Sequence, residues 1–189
     1  LFLLLASFFS LADNSKLVLS YDGFFDRMDD LNEPEYTGIK LAFYFKNKDN
    51  NQACKILSAR LQTQLKQQDV YFLEDGEVLL PFDEQLDMDK AKLVIEHQER
   101  SPCGLDMRIE SAQLFRSVIK TQHTLELINK FDLALDELAG MMAFLTPEVA
   151  GITFLADKSD KLVLLDPSLG KCNPLGCTIL KDRIKELKS

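Results

Sequence analysis

The sequence predicts an α+β fold, with an antiparallel sheet or small sandwich covered by two amphipathic helices and stapled by two disulfides. Three observations carry that expectation. From Thr124 to Leu145, residues Leu127, Ile128, Phe131, Leu135, Leu138, Met142 and Leu145 recur at helical spacing, with Asn129, Lys130, Asp132, Asp136 and Glu137 between them. From Tyr36 to Phe45, Ile39, Leu41, Phe43 and Phe45 alternate with Lys40, Ala42 and Tyr44, the period of a half-buried strand. Finally, four cysteines follow an uncharged apolar start, the pattern of an exported chain with structural disulfides.

The chain has 189 residues, 46% hydrophobic and 28% charged, which fits one globular domain with its own core. Residues 1–12, LFLLLASFFSLA, read as the tail of a signal peptide, because Ser10 and Ala12 place small side chains where a secretory peptidase cuts. Residues 13–189 then form the domain, in a periplasmic or secreted setting. The apolar stretch is too short for a stable membrane anchor, which needs about 20 residues. A net charge of −8 and a pI near 4.8 argue against nucleic acid, since scattered Lys and Arg cannot release many counterions. The same charge disfavours anionic lipid.

Taken in order, Lys16–Ser20 is short and apolar enough for a first strand. Tyr21–Leu31 shifts to helical spacing, with Phe24, Met28 and Leu31 on one face and Asp22, Asp26, Asp29 and Asp30 turned outward. Those aspartates lack the order of a calcium loop and read as a solvated face. After the 36–45 strand, Gln52–Gln67 places Cys54, Leu57, Leu61 and Leu65 at intervals of three or four, which predicts the second covering helix. Val70–Leu73 and Val78–Leu80 flank Glu74-Asp75-Gly76-Glu77, a hairpin signal, and Pro81 ends it. Phe82–Lys92 reads as an acidic loop, while Lys92–Glu96 and Leu105–Ile109 read as strands. The sequence leaves open whether Val70–Ile109 forms a subdomain. Thr146-Pro147 closes the long helix. Val149–Leu155 and Lys161–Leu165 then flank Asp157-Lys158-Ser159-Asp160 as a second hairpin, and Thr178–Lys188 reads as a terminal helix.

Cys172 and Cys177 bracket Asn173-Pro174-Leu175-Gly176, a turn that returns one sulfur toward the other, which leaves Cys54 for Cys103. Neither pair has the CxxC spacing of a zinc site or redox catalyst, and neither His97 nor His123 sits at finger spacing from a second ligand. The four cysteines are therefore read as scaffold, with no metal and no cofactor.

No nucleophile elbow, phosphate cradle or dinucleotide fingerprint occurs. A binding or structural role in an exported protein, without catalysis, is the first expectation, the partner being a small ligand or, if the resemblance described below holds, an envelope protein. One alternative is a metal-independent hydrolase using His97 or His123 with nearby carboxylates. Asp83 and Asp87 form a weaker acid pair for glycoside cleavage. Another alternative is a carrier of a small apolar ligand, with a cavity lined by Met141, Met142, Phe144 or Phe154.

The stretches Leu138–Phe154, LAGMMAFLTPEVAGITF, and Gly76–Phe82, GEVLLPF, resemble uncharacterised periplasmic protein families of Gram-negative bacteria. That resemblance implies an envelope location and carries no activity or catalytic residues.

Overall fold

The computed structural model describes residues 15–98, 102–115, 118–141, 147–156 and 161–186. Residues 1–12, expected to be a signal peptide, lie outside them, as do Met142, Phe144, Leu145 and the turn expected over 157–160. The chain divides into two compact units, one of Leu1–Met28 with Leu41–Arg108 and the other of Asp29–Lys40 with Ile109–Ser189.

In the first unit, strands β1 (Ser15–Ser20), β3 (Ile56–Gln62), β4 (Gln67–Asp69) and β5 (Lys92–His97) form an antiparallel sheet in the order β1-β5-β3-β4. Leu17 and Ala59 pair with Ile95, and Leu19 and Leu61 pair with Leu93, so these residues share one pleated face. Tyr21, Phe24, Phe43, Phe45, Val78 and Leu86 complete the core on that face. Helix α1 (Asp22–Asp30) contributes Phe24 and leaves Asp26, Asp29 and Asp30 exposed, as its spacing predicts.

The helix expected over Gln52–Gln67 is not formed, because β3 and β4 occupy that stretch. Ile56, Ala59 and Leu61 are buried at strand spacing, whereas Leu57 and Leu65, half of the expected stripe, are exposed. Helix propensities differ by less than about 1 kcal/mol per residue, and a place between β5 and β4 outweighs them. A second departure is the helix α2 (Glu84–Met88) inside the expected acidic loop. Asp83 caps it, its Oδ1 accepting from the N–H groups of Gln85 at 2.9 Å and Leu86 at 3.2 Å.

Strands β2 (Ile39–Asn47) and β6 (Cys103–Ser111) form a two-stranded sheet. Ala42, Phe43, Tyr44 and Phe45 are all buried, so β2 is covered on both faces and not on alternate residues alone. The disulfide Cys54–Cys103 joins the approach to β3 to the start of β6, with a Cα–Cα distance of 6.2 Å.

In the second unit, helix α3 (Thr121–Ala139) lays Leu127, Ile128 and Phe131 into a core with Ile152, Leu169 and Ile184. The α-helix ends at Ala139 and is capped by Gly140, whose φ of 54° takes the chain out of α-helical geometry before Pro147 is reached. Strands β7 (Gly151–Leu155), β8 (Gly170–Asn173) and β9 (Gly176–Leu180) form an antiparallel sheet in the order β7-β9-β8. The hairpin expected between Val149–Leu155 and Lys161–Leu165 is therefore not formed. β7 pairs with β9 from Gly151–Leu180 to Leu155–Gly176, and the 161–165 stretch lies in no strand. β9 is presented by its own tight turn, with Cys172 and Cys177 as cross-strand partners joined by the second disulfide. Helix α4 (Lys181–Glu186) starts later than expected because Thr178–Leu180 completes β9.

Candidate functional site

Two features could carry function, one in each unit. The first is a polar concavity of about 390 Å³ in the second unit, lined by Asp132, Asp136, Pro147, Glu148, Lys181 and Lys185. The apolar stripe of α3 faces the core and places Asp132 at its margin, while the first turn of α4 supplies Lys181. Lys181 is only 8% exposed. Its Nζ donates to Asp132 Oδ2 at 2.5 Å and to Glu148 Oε2 at 3.0 Å, and Asp132 Oδ1 accepts from the Val149 N–H at 2.5 Å. The Asp132 and Glu148 carboxylates hold the ammonium above the usual lysine range against the opposing pull of burial. A lysine kept charged is neither nucleophile nor base, and an Asp132 with both oxygens engaged is not a free proton acceptor. The cluster instead clamps α3, the Pro147–Val149 segment and α4 together. Sequence spacing places Asp132 on the water-facing side of the long helix, and no local signal connects it to a lysine 49 residues away.

The second feature is the hairpin of Val70–Leu80 in the first unit. Phe72 and Val78 form a bridge, Leu79 N–H bonds the Tyr71 carbonyl at 2.9 Å, and Leu73 N–H bonds the Glu77 carbonyl at 2.8 Å. Gly76 turns the chain with a φ of 91°. The hairpin is tied down on both flanks, by Val70 N–H to the Ala59 carbonyl at 2.8 Å and by Val78 N–H to the Phe43 carbonyl at 2.9 Å. Tyr21 fixes its exit, Oη donating to the Pro81 carbonyl at 2.5 Å and accepting from the Asp83 N–H at 3.1 Å, and burial pushes this phenol above its usual pKa. With Val78 buried in the core, the register turns Tyr71, Leu73 and Leu79 to the other side, where they are 84%, 47% and 45% exposed. The result is an apolar face held on a bonded scaffold.

The histidines lie elsewhere. His97 ends β5 between Ser15 of β1 and Ile56 of β3, is 3% exposed, and its Nδ1 has no hydrogen-bond partner among the described residues. His123 is exposed on the first turn of α3, with Nδ1 3.9 Å from Glu126 Oε2 and its ring edge-on to Phe115. Of the weaker acid pair, Asp83 is spent as a helix cap, and Asp87 lies 3.7 Å from Lys90. Of the residues considered for an apolar ligand, Met141 is exposed and Phe154 packs against Phe115 with ring centroids 5.8 Å apart. Neither lines the polar concavity. Cys54, Cys103, Cys172 and Cys177 are all in disulfides. Among the described residues, no group of three or more His, Cys, Asp or Glu side chains could hold a metal ion.

The fold and its features define a disulfide-bonded α+β protein built from antiparallel sheets. Among the described residues, no helix is long and apolar enough to cross a membrane. Residues 13–155 match the family model described as a protein of unknown function, DUF2987, and the chain belongs to that family. No curated protein and no solved structure matches it.

Proposed function

We propose that this chain is an exported envelope protein, periplasmic or secreted, that acts by binding and not by catalysis. The observation that carries the binding reading is the outward apolar face of Tyr71, Leu73 and Leu79, large side chains left in water on a hairpin bonded along both flanks. An apolar face held rigid loses little conformational entropy when a partner covers it. Export is supported by the two disulfides, which persist in oxidising compartments and are rare in reducing ones.

The test is a photoreactive residue at Leu79 in the chain produced by its native host, with the exposed Asp26 as the control position. A discrete protein or ligand adduct at Leu79 and none at Asp26 is the expected result. Equal labelling at both positions overturns the binding reading. Four alkylatable thiols in the unreduced native chain overturn the export reading.

A further inference from the structure

We infer that Cys172 is a thiol-exchange site, where a dithiol reductant opens the Cys172–Cys177 bond and leaves a folded chain with Cys54–Cys103 intact. An incoming thiolate must reach one sulfur of a disulfide from the side away from the other, so access decides which bond is attacked. Cys54 and Cys103 are both buried, which shields that pair from either side. Cys177 is buried too, but Cys172 is exposed. It lies on β8, the outer strand of the order β7-β9-β8, so no strand of that sheet stands beyond it. Its neighbours Lys171 and Asn173 are exposed as well, and the Lys171 cation favours a thiolate at this position.

The surrounding structure holds without this bond. Asn173 Oδ1 accepts from the N–H groups of Leu175 at 2.8 Å and Gly176 at 3.1 Å, which keeps the turn closed by hydrogen bonds alone. β9 is paired with β7 over five residues, and the Thr153 and Thr178 hydroxyls meet at 2.9 Å across that pair. The Cys172–Cys177 bond spans a sequence separation of 5, against 49 for the other pair, so opening it frees the unfolded chain far less. In the exchange, one thiolate of the reductant bonds to Cys172 Sγ, and the electron pair of the broken S–S bond goes to Cys177 Sγ, which takes up a proton. The second sulfur of the reductant then displaces Cys172 as a thiolate. The reductant leaves as its own disulfide, and the chain has gained two electrons and two protons as a pair of thiols.

The experiment treats the oxidised full chain with dithiothreitol under native conditions, quenches samples with iodoacetamide over time and maps the labelled cysteines by mass spectrometry. The expected result is labelling of Cys172 and Cys177 at least about tenfold faster than Cys54 and Cys103, at a rate unchanged by urea below the unfolding transition. Equal rates for the two pairs overturn the inference, as does earlier labelling of Cys54 and Cys103. A rate that climbs with urea in step with global unfolding also overturns it, because the bond is then reached only in the unfolded chain. A second arm replaces dithiothreitol with excess glutathione, which lacks the second sulfur and leaves the mixed disulfide in place. Glutathione on Cys172 with a free Cys177 supports the assigned direction of attack, and glutathione on Cys177 alone overturns it. A cooperative thermal melt of C172S/C177S supports a folded reduced state, and loss of that melt overturns it.

Discussion

Lys181 and Asp132 meet at 2.5 Å across 49 residues of sequence, and the same carboxylate holds the backbone of Val149. One ion pair thus fastens a helix, a loop and a second helix. Removing the lysine leaves a half-buried carboxylate with an unmatched oxygen, so Lys181→Met is expected to destabilise the chain by about 1–3 kcal/mol in urea unfolding. Lys181→Met with Asp132→Leu should lose less than the single variant, because no orphaned charge remains.

The same contact gives a pH dependence. The carboxylates raise the Lys181 pKa above 10.5, so the folded chain keeps a proton that the unfolded chain begins to lose there. Its contribution is complete below pH 10.5 and is lost as the pH rises through the folded value. The alkaline fall in stability should be shallower in Lys181→Met than in the wild type.

Tyr36 gives a second alkaline signal. Its buried Oη lies 3.4 Å from Glu137 Oε2, and burial first, then the negative charges of Glu137 and Glu35, push it from 10.0 up to about 12. Below pH 10.0 both states are protonated and nothing is lost; between 10.0 and about 12 only the unfolded tyrosine ionises, and stability declines. Ultraviolet titration of tyrosinate should show late components, of which Tyr36→Phe removes one and leaves that of the buried Tyr21.

The two disulfides should differ in weight. Cys54–Cys103 closes 49 residues and Cys172–Cys177 closes 5, which on chain entropy correspond to about 4 and about 2 kcal/mol. Replacing both cysteines of the first pair by serine should lower the melting temperature more than replacing the second pair. Equal shifts would contradict a chain-entropy origin.

Gly76 and Gly23 form a matched test of backbone freedom. At Gly76 the φ of +91° disfavours any side chain, and a Cβ would lie 2.6 Å from the Phe45 carbonyl oxygen, so Gly76→Ala should cost about 1–3 kcal/mol. Gly23 is in the first turn of α1 with nothing within 4 Å of an added Cβ, so Gly23→Ala should stabilise by up to about 1 kcal/mol. Thermal melts of both variants give the two signs directly.

Elements with one dominant local pattern are legible in the amino-acid sequence alone. The apolar spacing of Leu127, Ile128 and Phe131 marks α3, the alternation through Ile39–Phe45 marks β2, and Asp75-Gly76 marks its hairpin. Gln52–Gln67 is not legible in the same way, because leucines three and four apart satisfy a helix while Ile56, Ala59 and Leu61 satisfy a strand, and only β5 decides between them. The partner of β7 is hidden for a related reason: a neighbouring strand-like segment looks like a hairpin arm until a more distant strand competes for the same hydrogen bonds. The polar clamp has no local signal, since its members are drawn from α3, the Glu148 segment and α4.

By itself the sequence determined the α+β class, the long amphipathic helix, the turn chemistry at Gly76 and around Pro174, and the reading of all four cysteines as structural. Those properties follow from side-chain period and backbone freedom within a few residues. Only the tertiary structure decided which strands pair, which of two periodicities prevails at Ile56–Gln62, which carboxylate meets Lys181, and that Tyr71, Leu73 and Leu79 remain in water. Hydrogen bonds and burial between distant segments exceed the small local preferences of each, and their outcome depends on every competitor present in the folded chain.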